Sequence, residues 1–344
     1  MLSRPEVISK AESSPATGAS QHVGISAVPL STPSFCVVDT RFNRRYTSPV
    51  LEEIAPHIYL VHGEHRGQFP FSHSILIRDG ITALIDTGCG IQRLRQIKER
   101  YSPDLVINSH AHPDHIPGNF VFEGVPLFVP RQSFHYTGRI DLVSQRFTES
   151  EELARYWRDY VKEATGFQDC LPTDQYDEVH RFDFGSVQLM ALHCPGHTSD
   201  SYCFLEPNLG LAFTFDMDLS SFGPWYGHPD SKIEEFEASL QRVHDLKPAT
   251  IVSSHMGVIT EDLEDKFQAY ARVIPDRDAR ILESLSEERT LEEMVDQHLI
   301  YQRYPFAPDL LRRWEENMLR KHLRRLMDRG LVERTEQGFT RSAR

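Results

Sequence analysis

Apolar positions along this chain change period several times, and each change predicts an element. Residues 54–62, 72–77 and 83–86 are short runs rich in Ile, Leu, Val and Tyr, the pattern of β-strands. Thr87-Gly88-Cys89-Gly90 predicts a turn, with glycines available for positive φ. Leu94, Ile97 and Lys98 give 91–101 helical spacing, and Leu105-Val106-Ile107 predicts the next strand. A helix-like segment follows Gly118-Asn119-Phe120, then a strand over 125–129. Alternation of strand and helix argues for a layered α/β arrangement.

Residues 131–178 break this rhythm. Thr148-Glu149-Ser150-Glu151 has the form of a helix start, and Leu153, Tyr156, Trp157, Tyr160 and Val161 continue at helical spacing. The segment is expected to be a helical lid, with Tyr156, Trp157 and Tyr160 either touching substrate or packing the helix down. Strands return at 179–184, 186–193, 202–205 and 211–215, an amphipathic helix at 231–247, and a strand at 250–252. Beyond 271, segments 280–285, 291–301 and 309–328 read as three helices, and 331–334 with 338–340 as a short hairpin. That set looks like a winged-helix module, serving either for packing and dimerisation or for phosphate contact. The expected organisation is a disordered tail (1–48), a catalytic domain (49–270) with the 131–178 insertion, and a winged-helix-like domain (271–344).

Charge and cysteine usage narrow the function classes. The 344 residues carry a formal net charge of −13. From residue 271 onward there are fifteen Lys/Arg and fourteen Asp/Glu, so the part before it holds −14. A polyanion is a poor partner for such a surface. The stretch 320–344, with eight Lys/Arg and three Asp/Glu, is the exception. Five scattered cysteines without Cys-x-x-Cys spacing argue against a disulfide framework and for a reducing cytosol. The N-terminal residues lack an apolar signal core; a mitochondrial presequence is a weaker alternative to a cytoplasmic location. No apolar run is long enough to span a bilayer.

The chemistry concentrates in Asn108-Ser109-His110-Ala111-His112-Pro113-Asp114-His115, directly after an apolar run. Neutral imidazole and carboxylate are ligands preferred by zinc and its first-row neighbours. On an extended backbone His110 and His112 point to one side. Pro113 turns the chain, so Asp114 and His115 can face a second centre.

His-x-His-x-Asp-His after a strand resembles the signature of the metallo-β-lactamase superfamily. Further landmarks follow in that family's order: Ile85-Asp86-Thr87-Gly88, Cys194-Pro195-Gly196-His197-Thr198, Phe213-Thr214-Phe215-Asp216 and Ser253-Ser254-His255-Met256-Gly257. The resemblance covers residues 50 to 270. It implies a four-layer αββα fold with a glyoxalase-II-like hydrolase function. It further implies a first metal held by His110, His112 and His197, and a second by Asp114, His115 and His255. Asp216 would bridge the two, and Asp86 would be a buried carboxylate supporting the metal loop. Phe215 stands where the family more often has Gly, which leaves Asp218 as a competitor for the bridge. His193 is assigned to structure. By the same resemblance a metal-bridging hydroxide would attack the substrate, with Asp114 as the catalytic residue that orients it or takes its proton. Two divalent transition-metal ions are expected, zinc by default, with iron or manganese as alternatives.

Ser221-Phe222-Gly223-Pro224-Trp225-Tyr226-Gly227-His228 follows the expected bridge at once. Trp225, Tyr226 and His228 are therefore the candidate substrate contacts. A small thioester, ester or lactone is the expected substrate. An endoribonuclease or phosphodiesterase using the same centre is the alternative, and a non-catalytic binding protein on this fold is a third. The gap from Asp216 to His255 is too short for a large inserted RNA-processing domain. A homodimer is compatible with the C-terminal module. No Gly-x-Ser-x-Gly elbow or Gly-rich phosphate loop is present, which disfavours a serine hydrolase and a nucleotide-dependent enzyme.

Overall fold

A computed structural model describes residues 51–342. The expected tail at 1–48 lies outside the described residues. The chain runs β1 (Leu51–Ala55), β2 (Ile58–Val61), β3 (Ser74–Arg78), β4 (Thr82–Ile85), α1 (Ile91–Tyr101), β5 (Leu105–Ile107) and β6 (Leu127–Pro130). Then come α2 (Ile140–Phe147), α3 (Glu151–Thr165), β7 (Asp174–Tyr176), β8 (Arg181–Asp183), β9 (Gln188–His193), β10 (Tyr202–Glu206) and β11 (Leu211–Phe215). The remainder is α4 (Ile233–Asp245), β12 (Thr250–Ser253), β13 (Gly257–Ile259), α5 (Leu263–Ser284), α6 (Leu291–Asp296), α7 (Pro308–Asp328), β14 (Val332–Arg334) and β15 (Phe339–Arg341).

One sheet has the order β1-β2-β3-β4-β5-β6-β7, the other β13-β12-β11-β10-β9-β8. Residue alternation in the strands builds the layers. Ile75 and Ile77 of the first sheet and Leu211, Phe213 and Phe204 of the second meet in the core between the sheets. Their alternates face outward. Leu76 and Leu84 pack with Leu94 and Ile97 of α1, while Ala212 and Leu205 pack with Phe236 and Leu240 of α4 and Tyr270 of α5. The result is the expected four-layer αββα arrangement.

Several expectations about element boundaries need correction. The run 54–62 is a hairpin and not one strand, because His57 takes a positive φ of 67° after Pro56. Besides α2, which its apolar spacing does not predict, the insertion 131–178 holds the helix that this spacing does predict, α3, with Ser150 capping it by accepting from Leu153 N–H. It also carries β7, which extends the first sheet alongside β6. The boundary at 271 falls inside α5, whose helix starts at Leu263 and continues through Pro275. The described residues, 51–342, belong to one compact unit. Tyr226 and Ile233 share an apolar cluster with Ile281, Met318 and Leu323, and Trp314 of α7 packs with Phe147 and Trp157 of the insertion. Among the described residues no helix is long and apolar enough to cross a membrane. Cys89, Cys170, Cys194 and Cys203 are free thiols.

Candidate metal centre

The centre forms where the C-terminal ends of strands from both sheets meet. The loop after β5 carries His110, His112, Asp114 and His115, and the turn after β9 carries His197. The end of β11 delivers Asp216, and the end of β12 delivers His255. Two groups of ligand atoms result, one from His110, His112, His197 and Asp216, the other from Asp114, His115, Asp216 and His255. Within each group the atoms all lie within 4.8 Å of one another. Asp216 belongs to both, and its two oxygens are divided between them. Oδ2 lies 3.1 Å from His197 Nε2, 3.7 Å from His110 Nε2 and 4.0 Å from His112 Nδ1. Oδ1 lies 2.8 Å from His115 Nε2 and 3.4 Å from His255 Nε2. Asp218 belongs to neither group.

The residues fit a metal by their unpaired donors. His110 Nε2 and His112 Nε2 are buried without a hydrogen-bond partner, a state that buried polar atoms rarely tolerate unless something binds them. In the other imidazoles of the two groups Nδ1 is taken. His115 Nδ1 meets Asp86 Oδ2 at 2.7 Å, His255 Nδ1 meets the Gly67 carbonyl at 2.6 Å, and His197 Nδ1 meets the Trp225 carbonyl at 3.0 Å. Such partners fix ring orientation and leave Nε2 free to ligate. Asp86 also accepts from Ser109 N–H at 2.8 Å and Ser109 Oγ–H at 2.7 Å, so it pins the ligand loop at three points. Gly88 lets that loop close, since a Cβ there would lie 1.6 Å from the Asp114 carbonyl oxygen.

Electrostatics point the same way. Burial and neighbouring imidazoles hold His110 and His112 well below the ordinary histidine range, so both rings are neutral, the ligating form. Burial also opposes charge on His115, yet Asp216, Asp86 and Asp114 together keep it well above that range. Burial raises Asp114 from its usual value. A field this negative in a desolvated pocket favours a cation.

The centre lies in the wall of a cavity of about 740 Å³, reached by His112, Asp114, His197, Asp216 and His255. Phe69, Phe147, Phe222, Trp225, Tyr301, Phe306 and Trp314 make much of the remaining lining. Of the expected substrate contacts, only Trp225 lines it. Tyr226 is fully buried; its hydroxyl donates to His322 Nε2 at 2.6 Å and accepts from Arg277 at 2.9 Å. His228 is buried behind His112, ring centroids 5.7 Å apart, with Nδ1 bonded to Asp230. Both residues shape the loop from below. In the lid, Trp157 is fully buried and stacked on Phe147, Tyr160 packs near Phe69 and Phe306, and Tyr156 is exposed. His193 holds the Ser199 carbonyl at 2.9 Å and stays outside both ligand groups.

Nothing local in the sequence marks Phe69, Tyr301, Phe306 or Trp314 as cavity residues, because they are far from the ligand motifs and meet them only through folding. His73 is equally unmarked. It is buried, accepts the Gly63 N–H at Nδ1 (2.8 Å) and is held down to about 4 by burial and by His62 and His255.

The family described as the metallo-beta-lactamase superfamily matches residues 67–255. The chain belongs to it. An atrochrysone carboxyl ACP thioesterase of Pseudocercospora fijiensis is 26% identical over 255 residues, covering 70% of this chain and 64% of that relative. A protein of the same name from Claviceps purpurea is 26% identical, covering 72% of this chain and 73% of its own length. The chain thus spans under two thirds of the first of these. A metallo-beta-lactamase family protein of Thermus thermophilus shares the fold at a TM-score of 0.65 and 21% identity, over 84% of this chain and all of that one. Membership of the superfamily accords with the His/Asp clusters, which are compatible with metal binding.

Proposed function

We propose that this protein hydrolyses an acyl thioester with two divalent ions, zinc by default, held by the two ligand groups. The observation that carries the proposal is the division of the Asp216 carboxylate between two sets of imidazoles at the wall of an aromatic cavity. Bound ions of this kind lower the pKa of a water molecule and polarise a carbonyl. His110, His112 and His197 would hold one, Asp114, His115 and His255 the other, with Asp216 common to both. In the reaction, water oxygen bonds to the acyl carbon, the carbon–sulfur bond breaks, and acid and thiol leave. Asp114 lines the cavity and, raised by burial, is suited to orient the water and accept its proton. The aromatic walls exclude bulk water and contact the acyl group. The names of the relatives favour a thioester over an ester or lactone.

The basic end of α7 gives little to a nucleic-acid partner. Arg325 is buried and bonded to Glu237 and Asp278, Arg329 pairs with Asp278, and Arg320 with Glu316. The test is a panel of acyl-CoA and acyl-glutathione thioesters, aryl esters, lactones and single-stranded RNA, run on one metal-loaded preparation. Thioester cleavage should exceed all others. RNA cleaved best, with loss of that cleavage in Arg324→Glu, would overturn the proposal.

A further inference from the structure

The cavity does not end with its aromatic walls. Two arginines, Arg280 of α5 and Arg303 between α6 and α7, also line it. Both are exposed, whereas the candidate metal ligands are buried or, for Asp216 and His255, half-buried, so the arginines sit on the solvent side. Neither makes an ion pair or hydrogen bond with another described residue. Arg312, Arg313, Arg320, Arg325 and Arg329 are paired with carboxylates. Among the described residues Arg272 and Arg324 are unpaired like Arg280 and Arg303, but of these only Arg280 and Arg303 line the cavity. An acidic chain has thus left two guanidinium groups uncommitted at the mouth of its main cavity.

Distance gives the arginines a meaning. Tyr270 of α5 reaches the Asp216 carbonyl with its hydroxyl at 3.4 Å, so this turn of the helix abuts the metal centre. Val273, Asp276 and Arg280 then line the cavity at helical spacing. Arg280 lies ten positions after Tyr270, which is about 15 Å along a helix axis. A pantetheine arm has, between its sulfur and its phosphate, as many chain atoms as roughly four residues, and spans about 15 Å when extended. A thioester carbon at the metal ligands therefore places the arm's phosphate near Arg280. Guanidinium groups bind phosphate oxygens by paired, charge-assisted hydrogen bonds.

We infer that Arg280 and Arg303 bind the phosphate of a phosphopantetheine arm that carries the acyl thioester. This rests on the thioesterase proposal above and extends it from the bond cleaved to the carrier of the acyl group. The same phosphate occurs in coenzyme A and on carrier proteins. Asp276 is the one lining carboxylate outside residues 114–218, and it weakens the anion end.

The test uses one acyl group on pantetheine, phosphopantetheine, coenzyme A and a phosphopantetheinylated carrier protein. The phosphopantetheine thioester should exceed the pantetheine thioester in kcat/KM by about tenfold or more, chiefly through KM. In Arg280→Gln/Arg303→Gln that ratio should fall to about one, and in Asp276→Asn it should rise. A preference for either phosphate-bearing carrier supports the inference and identifies the source. Equal turnover of the first two thioesters by the unaltered protein overturns it. Calorimetry with non-hydrolysable thioethers separates the two proposals. If no thioester is cleaved, yet the phosphopantetheine thioether binds more tightly than the pantetheine one and the double variant removes the difference, only the thioesterase proposal fails. Equal binding of the two thioethers overturns the phosphate site whatever is cleaved.

Discussion

The indole N–H of Trp225 donates to the Tyr301 hydroxyl at 2.5 Å, while the backbone carbonyl of the same tryptophan holds His197 Nδ1 at 3.0 Å. One residue therefore connects a candidate metal ligand to the C-terminal wall of the cavity. Tyr301→Phe would leave the indole N–H unpaired. The expected loss of stability is about 1 kcal/mol, read as a lower urea midpoint. KM should rise because Trp225 and ring 301 both line the cavity, and metal content should stay constant because the carbonyl contact is retained. A fall in bound metal would show that the tryptophan side chain, and not its backbone, secures His197.

Metal stoichiometry distinguishes shared from private ligands. Asp216→Ala should reduce binding at both ligand groups, whereas His197→Ala should reduce it at one. Elemental analysis after reconstitution should give close to two ions for the unaltered chain, about half of that for His197→Ala, and far less for Asp216→Ala. Hydrolysis should be abolished in the Asp216 variant. A chain that binds no ion after reconstitution yet stays active would end the dinuclear proposal.

Phe215 shows how far the ligand motifs could be read and where reading stopped. The family's preference for Gly before the bridging Asp has a backbone cause here, since Phe215 takes a left-handed φ of 51°. That strain is about 1–2 kcal/mol for an L-residue. The ring, however, is buried in the core between the sheets, 5.6 Å from Phe204, and loss of a buried Phe side chain costs about 3–5 kcal/mol. Phe215→Gly should therefore destabilise by roughly 2 kcal/mol net, measured by denaturant unfolding. A stabilised variant would mean the ring packs less well than its burial indicates.

The strand periods, the ligand loop and the order of landmarks were legible because each is local: period two for a strand, four donors in six residues for a metal. Sequence proximity to Asp216 places Tyr226 and His228 near the cavity, yet both turn away from it. His228 is held by Asp230. The direction of Tyr226 is set by Arg277, which donates to the carbonyls of Pro224 and Phe222 and to the Tyr226 hydroxyl. That clamp arrives from fifty residues downstream, so nothing near the loop announces it. The same distance hid Tyr301 and Trp314, and the change of residue pattern beyond 271 hid the continuity of α5 across that position.

His73 predicts a pH response. Its folded pKa of about 4 lies below the ordinary 6.5, so the unfolded chain binds a proton that the folded chain refuses between those values. Stability from the neutral ring is present above pH 6.5 and is lost as pH falls towards 4, by about 2–3 kcal/mol. His73→Asn keeps an acceptor for the Gly63 N–H and removes the titration. Urea midpoints of the variant should fall less steeply than those of the unaltered protein between pH 6.5 and 4. Parallel curves would show that other groups carry the acid loss.

The wall of the cavity has a consequence for how this protein changes over generations. Every candidate metal ligand lies between residues 110 and 255, while Val273, Arg280, Tyr301, Arg303, Phe306 and Trp314 come from later in the chain. Phe69, Phe147, Phe222 and Trp225 also line the cavity, yet much of its wall is written in a stretch that holds none of the candidate ligands. If the thioesterase proposal holds, mutation in the later stretch can exchange one acyl group or carrier for another while the candidate metal centre is inherited intact, and a duplicated copy can acquire a new substrate without first losing its reaction.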